Sequence, residues 1–434
     1  MTMMIDRRQI MASLATAALA AGAGRAGART AAPGFVNVRA MVDKFVAEGR
    51  VPGAVIALVT PGRHAPQFIA AGQTAFDGGT AMTPDSLFRI YSMTKPITAM
   101  AVMQQVAAGA LALDMPISEV LPEFKAMRVL VDPARGLDSR LARTPITIRH
   151  LLTHTAGLTY TIIGNGPLEK EYRRLGLMPG NATAGVMPGD GPVPDLKGFV
   201  AGLAGLPLHA EPGTVWRYSV SHDLMGGLLE RLTGKPFDQV LADQLLTPLG
   251  MRSTSFGLRD ADKARLSSNY AWVTPDLKPI DKPVLIDGPG RSDWVARPRL
   301  LAGGAGLLSS ARDYARFGQM LLDEGRFEGR TVMPRGAVRA AVSNLMPAGV
   351  FYEGSMGFGA GGRVSLFDTM GPTPAGSPAG VYGWGGAAGT LFQVDPVRQV
   401  AVAVMLQYLP QQRFPLGGEF QAAMNRDLAV PART

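Results

Sequence analysis

The stretch YSMTKPIT, residues 91–98, places Ser92 and Lys95 three positions apart and Pro96 directly after the lysine. A proline costs little in the first turn of a helix, where its missing N–H has no partner to lose. The apolar run that follows predicts a helix starting near Ser92. Residues i and i+3 share a helical face, so Ser92 Oγ and Lys95 Nζ can meet. A serine at a helix N-terminus also lies where partial positive charge favours a developing anion. A lysine in a partly desolvated cleft can accept the serine proton and make the serine a nucleophile. The competing reading is surface charge, and S-x-x-K alone is a weak signal. Ser92 is the only serine with lysine at +3.

The surroundings give that helix a place in a fold. Upstream, the apolar spacing from Val36 to Val46 predicts a helix ending near Gly49. GAVIALVT (53–60) and QFIAAGQT (67–74) read as a hairpin. Downstream, TIRHLLTHTAGL (147–158) reads as a helix ending at Gly157. SVSHDLMGGLLERLTG (219–234) and FDQVLADQLLTPLG (237–250) read as two more, each closed by glycine. Two Gly/Pro-rich stretches, 163–196 and 273–304, read as irregular loops. Near the C-terminus VYGWGGAAGT, LFQVDP and QVAVAVML are strand-like, and GGEFQAAMNRDL (417–428) is a final helix. Strands at both ends with helices between predict an α/β fold. Its antiparallel sheet, flanked by helices, is built from both chain ends (33–110 and 301–434) around an inserted helical domain (111–300). A cleft is expected where the two parts meet.

The 434 residues contain no cysteine, which excludes disulfides, catalytic thiols and cysteine metal sites. The formal net charge is +9, but the basic residues are scattered, with no basic block interleaved with aromatics. That pattern reads as solvated surface rather than a nucleic-acid partner. Residues 1–28 read as an export signal: Arg7-Arg8, an apolar stretch from Ile10 to Ala23, and the small-residue site Ala26-Gly27-Ala28. The paired arginines suggest the twin-arginine route to the periplasm or beyond. Cleavage there would remove Asp6, Arg7, Arg8 and Arg25, a net +2, and leave +7. No later segment is apolar enough to predict a membrane span.

Two further motifs join the serine and lysine. WRYSVSHD (216–223) offers Tyr218 and, five residues on, Asp223; a tyrosine beside a lysine can pass a proton. YGWGGAAG (382–389) is a strand of small residues that a ligand can approach closely. Its edge and the N–H of Ser92 could together form an oxyanion hole.

In their order and spacing these motifs resemble the serine β-lactamases and penicillin-binding-protein-like hydrolases. Among these the chain is most similar to the family VIII carboxylesterases, which are themselves like class C β-lactamases. The resemblance spans most of the chain after about residue 35. It implies a nucleophile in a cleft between an α/β domain and a helical one. It implies Ser92 as the acylated serine, Lys95 as its base and Tyr218 as the tyrosine of the second motif. Trp384, Gly385 and Gly386 match the third motif, and Ala387 would supply the second oxyanion N–H. Asp223 falls where an acidic residue could orient Lys95. Val220 stands where the second motif often has Asn, and Trp384 stands where β-lactamases have lysine. Both departures favour an esterase over a β-lactamase.

A Ser-His-Asp esterase is the first alternative, but no serine lies in G-x-S-x-G. His150 and His154 lie one helical turn apart with Leu151 where H-E-x-x-H needs Glu, so packing or capping is expected of them rather than metal ligation. His222, four residues past Tyr218, reads as structural. A β-lactamase, a D-amino-acid peptidase or amidase, or an acyl-transferring enzyme would keep the same chemistry on another substrate. A non-catalytic binding module would not need all three side chains. The expectation is a cofactor-free enzyme for small, short-chain carboxylic esters, with two to eight carbons in the acyl part. An indole at Trp384 cannot pair with a substrate carboxylate, although Arg291 or Arg363 could restore anion binding. The sequence leaves the oligomeric state open.

Overall fold

The computed structural model describes residues 34–60, 65–178, 193–274, 276–290, 292–294, 297–370 and 375–429. The elements below lie in one unit, Phe35–Thr434. Residues 1–28, with the expected export signal, fall outside the described residues, as does Arg291.

Seven strands form the main sheet: β1 (Gly53–Val59), β2 (Gln67–Gly72), β3 (Gly357–Phe358), β4 (Arg363–Val364), β5 (Tyr382–Gly385), β6 (Leu391–Asp395) and β7 (Val400–Met405). Their order is β3-β4-β5-β6-β7-β1-β2, and every pairing is antiparallel. The N-terminal hairpin is therefore zipped onto the C-terminal strands through β1 and β7, as the strand-like runs at the two chain ends predicted.

β1 and β7 are buried at every position. Alternate side chains of a strand point to opposite faces, and here each face meets its own core. Ala54, Ile56, Leu58, Val402 and Val404 pack with Val42 and Phe45 of α1 (Val36–Ala47) and Phe420 and Met424 of α5 (Leu416–Leu428). Val55, Ala57, Ala401 and Ala403 face the larger core, with Tyr314 and Phe317 of α4 (Ala311–Leu322) and Met100 of α2 (Thr94–Ala107). Helices on both faces explain why these strands read as continuous apolar runs.

Between α2 and α4 the chain carries several helices, but loops and short strands make up more of it than the mainly helical insertion expected over 111–300. Its central helix, α3 (Ser221–Thr233), is capped by Gly234 in the left-handed region, as expected. The stretch 237–249 is helical with a π turn at Ala242–Leu246. Three local sequence readings change. The stretch 163–196, read as an irregular loop, contains the helix Pro167–Arg174, whose proline sits in the first turn. The helix expected over 147–158 spans only Ile148–Leu152, because β-branched Thr153 turns its hydroxyl back onto the Arg149 carbonyl (2.8 Å) and His154 adopts φ +58°. The Gly/Pro-rich stretch 273–304 contains a strand, Pro279–Asp287, paired with Asn269–Val273. Proline is tolerated there at the strand's first residue.

Candidate active site

The nucleophile-bearing turn is held from two sides. Ser92 sits in a 3-10 turn, Tyr91–Met93, that runs directly into α2. The Ile90 N–H donates to Leu307 O (3.1 Å), and Thr94 Oγ1 accepts from the Leu307 N–H (3.2 Å). Tyr91 has φ +43°, a conformation that costs a bulky residue about 1–3 kcal/mol. Its buried ring lies edge-on to Trp294 (5.9 Å), and its hydroxyl accepts from Asn269 Nδ2 (3.0 Å). These contacts offset the strain and fix where Ser92 leaves the sheet.

Lys95, one turn on, is completely buried. Its Nζ donates to Ser92 Oγ (3.1 Å) and to Gly304 O (2.8 Å), and lies 4.5 Å from the Tyr218 ring centre and 5.6 Å from that of Tyr160. Tyr218 OH stands 2.6 Å from Ser92 Oγ. Ser92 and Lys95, picked out by spacing, and Tyr218, picked out by its motif 126 residues on, therefore meet at one oxygen.

Asp223 is brought close, but by a different route from the one expected. No hydrogen bond joins it to Lys95. Its Oδ1 accepts the Gly304 N–H (2.9 Å), and the Gly304 carbonyl in turn accepts from Lys95. Asp223 thus positions the lysine through the backbone of one residue, Gly304. Burial pushes its carboxyl up to about 6, against the pull of the Lys95 charge, and its Oδ2 has no partner.

Behind Tyr218 lies a buried polar and aromatic layer. His154 Nδ1 is 3.0 Å from Ser219 Oγ, and its ring is 4.9 Å from that of Tyr218 and 4.7 Å from that of His222. Burial, with the charge of nearby Lys95, holds both imidazoles neutral. Tyr160 packs edge-on to Tyr218 (5.3 Å), and burial keeps its phenol protonated. His150 does not join them: its Nδ1 accepts from the Thr147 N–H in a capping box. The two histidines share no site.

The third motif forms the opposite wall. β5 pairs with β6 as far as Gly385–Leu391, but its pairing with β4 stops at Gly383–Arg363. Residues 384–387 thus keep one edge unpaired on the side of the nucleophile. Only glycine fits at 386, where a Cβ would come within 2.4 Å of Ile90 O and 2.2 Å of Thr390 Oγ1. The cleft, about 940 Å³, is lined by Ser92, Tyr218, Trp384, Gly385 and Ala387, with Ile162, Tyr352 and Arg363. The Trp384 indole packs 5.8 Å from Tyr218 and 5.7 Å from Tyr352.

Sequence reasoning missed four residues of this site: Gly304, Tyr160, Tyr91 and Ser219 in its bond to His154. Gly304 lies in a Gly-Gly run within a loop, and its contact to Lys95 spans 209 residues. No local pattern announces such a pairing. Tyr91 is the first residue of the motif, but its backbone conformation has no signature in the sequence.

The Beta-lactamase family model matches residues 38–423. Esterase EstB of Burkholderia gladioli is 34% identical over 382 residues, which cover 85% of this chain and 88% of its own. Protein Rv1367c of Mycobacterium tuberculosis is 33% identical over 350 residues, 78% of this chain and 82% of its own. Among solved structures, EstCE1, described as a hydrolase with promiscuous acyltransferase activity, is 26% identical. It superposes with a TM-score of 0.73, covering 89% of this chain and 97% of that one.

Proposed function

This chain belongs to the Beta-lactamase family, and from that premise we propose that it is a serine carboxylesterase of the family VIII type, working through an acyl-enzyme on Ser92. The observation that carries the reading is the convergence of Tyr218 OH and Lys95 Nζ on Ser92 Oγ. A hydroxyl placed between a lysine and a tyrosine can lose its proton to that pair as it attacks an ester carbonyl. Both side chains hydrogen-bond the same hydroxyl, so the Lys95–Tyr218 pair is the proton acceptor. The N–H groups of Ser92 and Ala387 take the oxyanion. Tyr218 then returns the proton to the leaving alkoxide. Water, activated by the same pair, attacks the acyl carbonyl and releases the acid.

The substrate reading rests on Trp384. Beside the nucleophile the wall is an indole with glycines and alanine, which favours neutral acyl groups of about two to eight carbons and disfavours β-lactams. A hundredfold preference needs only about 2.7 kcal/mol of differential transition-state binding. EstB, named an esterase, supports this class. A second reading, acyl transfer to an alcohol, is favoured by the likeness to EstCE1, since any acceptor that fits can resolve an acyl-enzyme. Export completes the proposal: Arg7-Arg8 and the apolar stretch after them direct the chain to the periplasm or outside, with processing near Arg29.

The test is covalent. A slow phosphonate ester should add its mass to the Ser92 peptide, and Ser92→Ala should lose three or more orders of magnitude in kcat on p-nitrophenyl butyrate. An adduct on another serine, or a cephalosporin turned over as well as the butyrate, sinks the assignment.

A further inference from the structure

The catalytic cleft does not end at the nucleophile. The same cavity continues from Ser92 along β5 to Arg363, Gly383 and Gln393. We propose that this outer end is a carboxylate subsite, in which Arg363 and Gln393 bind an anionic group at the far end of an elongated ester. The inference rests on the esterase reading and extends it to a second class of substrate.

Register places the three residues. Gly383 pairs with Arg363 on one side and with Gln393 on the other. Directly opposed residues project from the same face of a sheet, so one cross-strand row reads cation, bare backbone, amide. Two strand spacings put the outer Cα atoms about 10 Å apart. The glycine between them projects no side chain into the gap, and it tolerates none: a Cβ there would lie 2.2 Å from Phe392 O.

Both flanking groups are unsatisfied. Gln393 is 5% exposed, yet its Nε2 has no hydrogen-bond partner. A buried donor left unpaired costs about 1–3 kcal/mol, which a ligand oxygen would recover. Arg363 is exposed and has no carboxylate within ion-pair distance among the described residues, whereas Arg149, Arg312 and Arg398 each hold one. A guanidinium and an amide N–H together match the two oxygens of a carboxylate. The one acidic group lining the cleft, Glu353, accepts from Tyr352 OH. Tyr352 packs on the Trp384 ring, and Trp384, next to Gly383 in the strand, projects from the other face. Tyr352 and Trp384 line the nucleophile's side of β5, and the Arg363 charge acts on Tyr352 from the row beyond it.

The spacing sets the ligand length. Gly383 lies four residues before Ala387, which sits just past the end of β5 at Gly385; extended backbone bounds the span at about 13 Å, within reach of an acyl chain of about ten bonds. A neutral ten-carbon acyl chain gains nothing from this row, whereas one that ends in a carboxylate does.

The experiment compares p-nitrophenyl decanoate with the mono-p-nitrophenyl ester of decanedioic acid, with p-nitrophenyl butyrate as the reference for turnover. The wild-type enzyme should favour the ω-carboxy ester at least tenfold in kcat/KM, and added salt should erode the preference. Arg363→Gln should bring the ratio near one, and Arg363→Lys should restore part of it. Equal rates on the two ten-carbon esters, or an unchanged ratio in Arg363→Gln, overturn the subsite while butyrate turnover leaves the esterase reading standing. If no ester is cleaved, the esterase reading fails instead. The subsite is then judged by calorimetry with decanedioic acid monoamide, whose binding should weaken at least tenfold in Arg363→Gln; equal binding by the two proteins overturns it.

Discussion

At the scale of single residues, Asp223 shows how a buried carboxylate can serve a site it does not touch. It holds Gly304, and Gly304 holds Lys95. Asparagine keeps an acceptor for the Gly304 N–H, and alanine does not. Asp223→Ala should therefore lower kcat about ten- to a hundredfold with little change in KM, and Asp223→Asn should recover much of that loss. Stability moves the other way. The folded-state value is raised to about 6 from 3.8, so the native state binds the extra proton between those values. The cost of the buried charge is absent near pH 4 and fully present above about 6. Asp223→Asn should melt above the wild type at pH 8, with the gap closing as pH falls from 6 to 4. Thermal melts across that range decide it.

At the scale of elements, the cleft depends on where β5 loses a neighbour. β4 is two residues long and stops opposite Gly383, so residues 384–387 run on with one edge unpaired. Gly386 then lets that edge close onto Ile90, two residues before the nucleophile. Gly386→Ala forces the strand end and the nucleophile turn apart. A displacement of about 1 Å can cost about a hundredfold in rate. A drop in kcat of that order, with a lowered melting temperature, is the expected result; a fully active variant would show that the close approach is dispensable. The sequence made this strand legible as a small-residue stretch but not its early end, because pairing length is set by the partner strand.

At the scale of the whole molecule, one buried ion pair ties the sheet end to the inserted region. Arg89, three residues before Ser92 and fully buried, pairs with Asp287 and donates to Ser267 O (2.7 Å) and Gln407 Oε1 (3.3 Å). Removing one partner strands the other charge in the interior, at about 3–5 kcal/mol. Arg89→Met and Asp287→Asn should each be destabilised by an amount of that order in denaturant unfolding, since each leaves one buried charge without its partner. Deleting residues 1–28 should leave both activity and melting temperature unchanged if they are an export signal, and fusion of the same residues to a reporter should carry it out of the cytoplasm.

The sequence by itself determined the elements and the chemistry at their start. A proline in a first turn, a serine and lysine on one helical face, and glycines closing α3 and its successor act within a few residues, where backbone sterics decide. Ser92 and Lys95 were legible because a nucleophile and its base can share one helical face, and Tyr218 because its motif resembles that of the penicillin-binding-protein-like hydrolases. Only the tertiary structure decided that Asp223 reaches Lys95 through Gly304, that Tyr91 takes a left-handed conformation, and that Arg363 and Gln393 flank Gly383 on neighbouring strands. Each of these depends on groups distant in sequence, whose meeting is set by strand register and core packing, and no local preference encodes either.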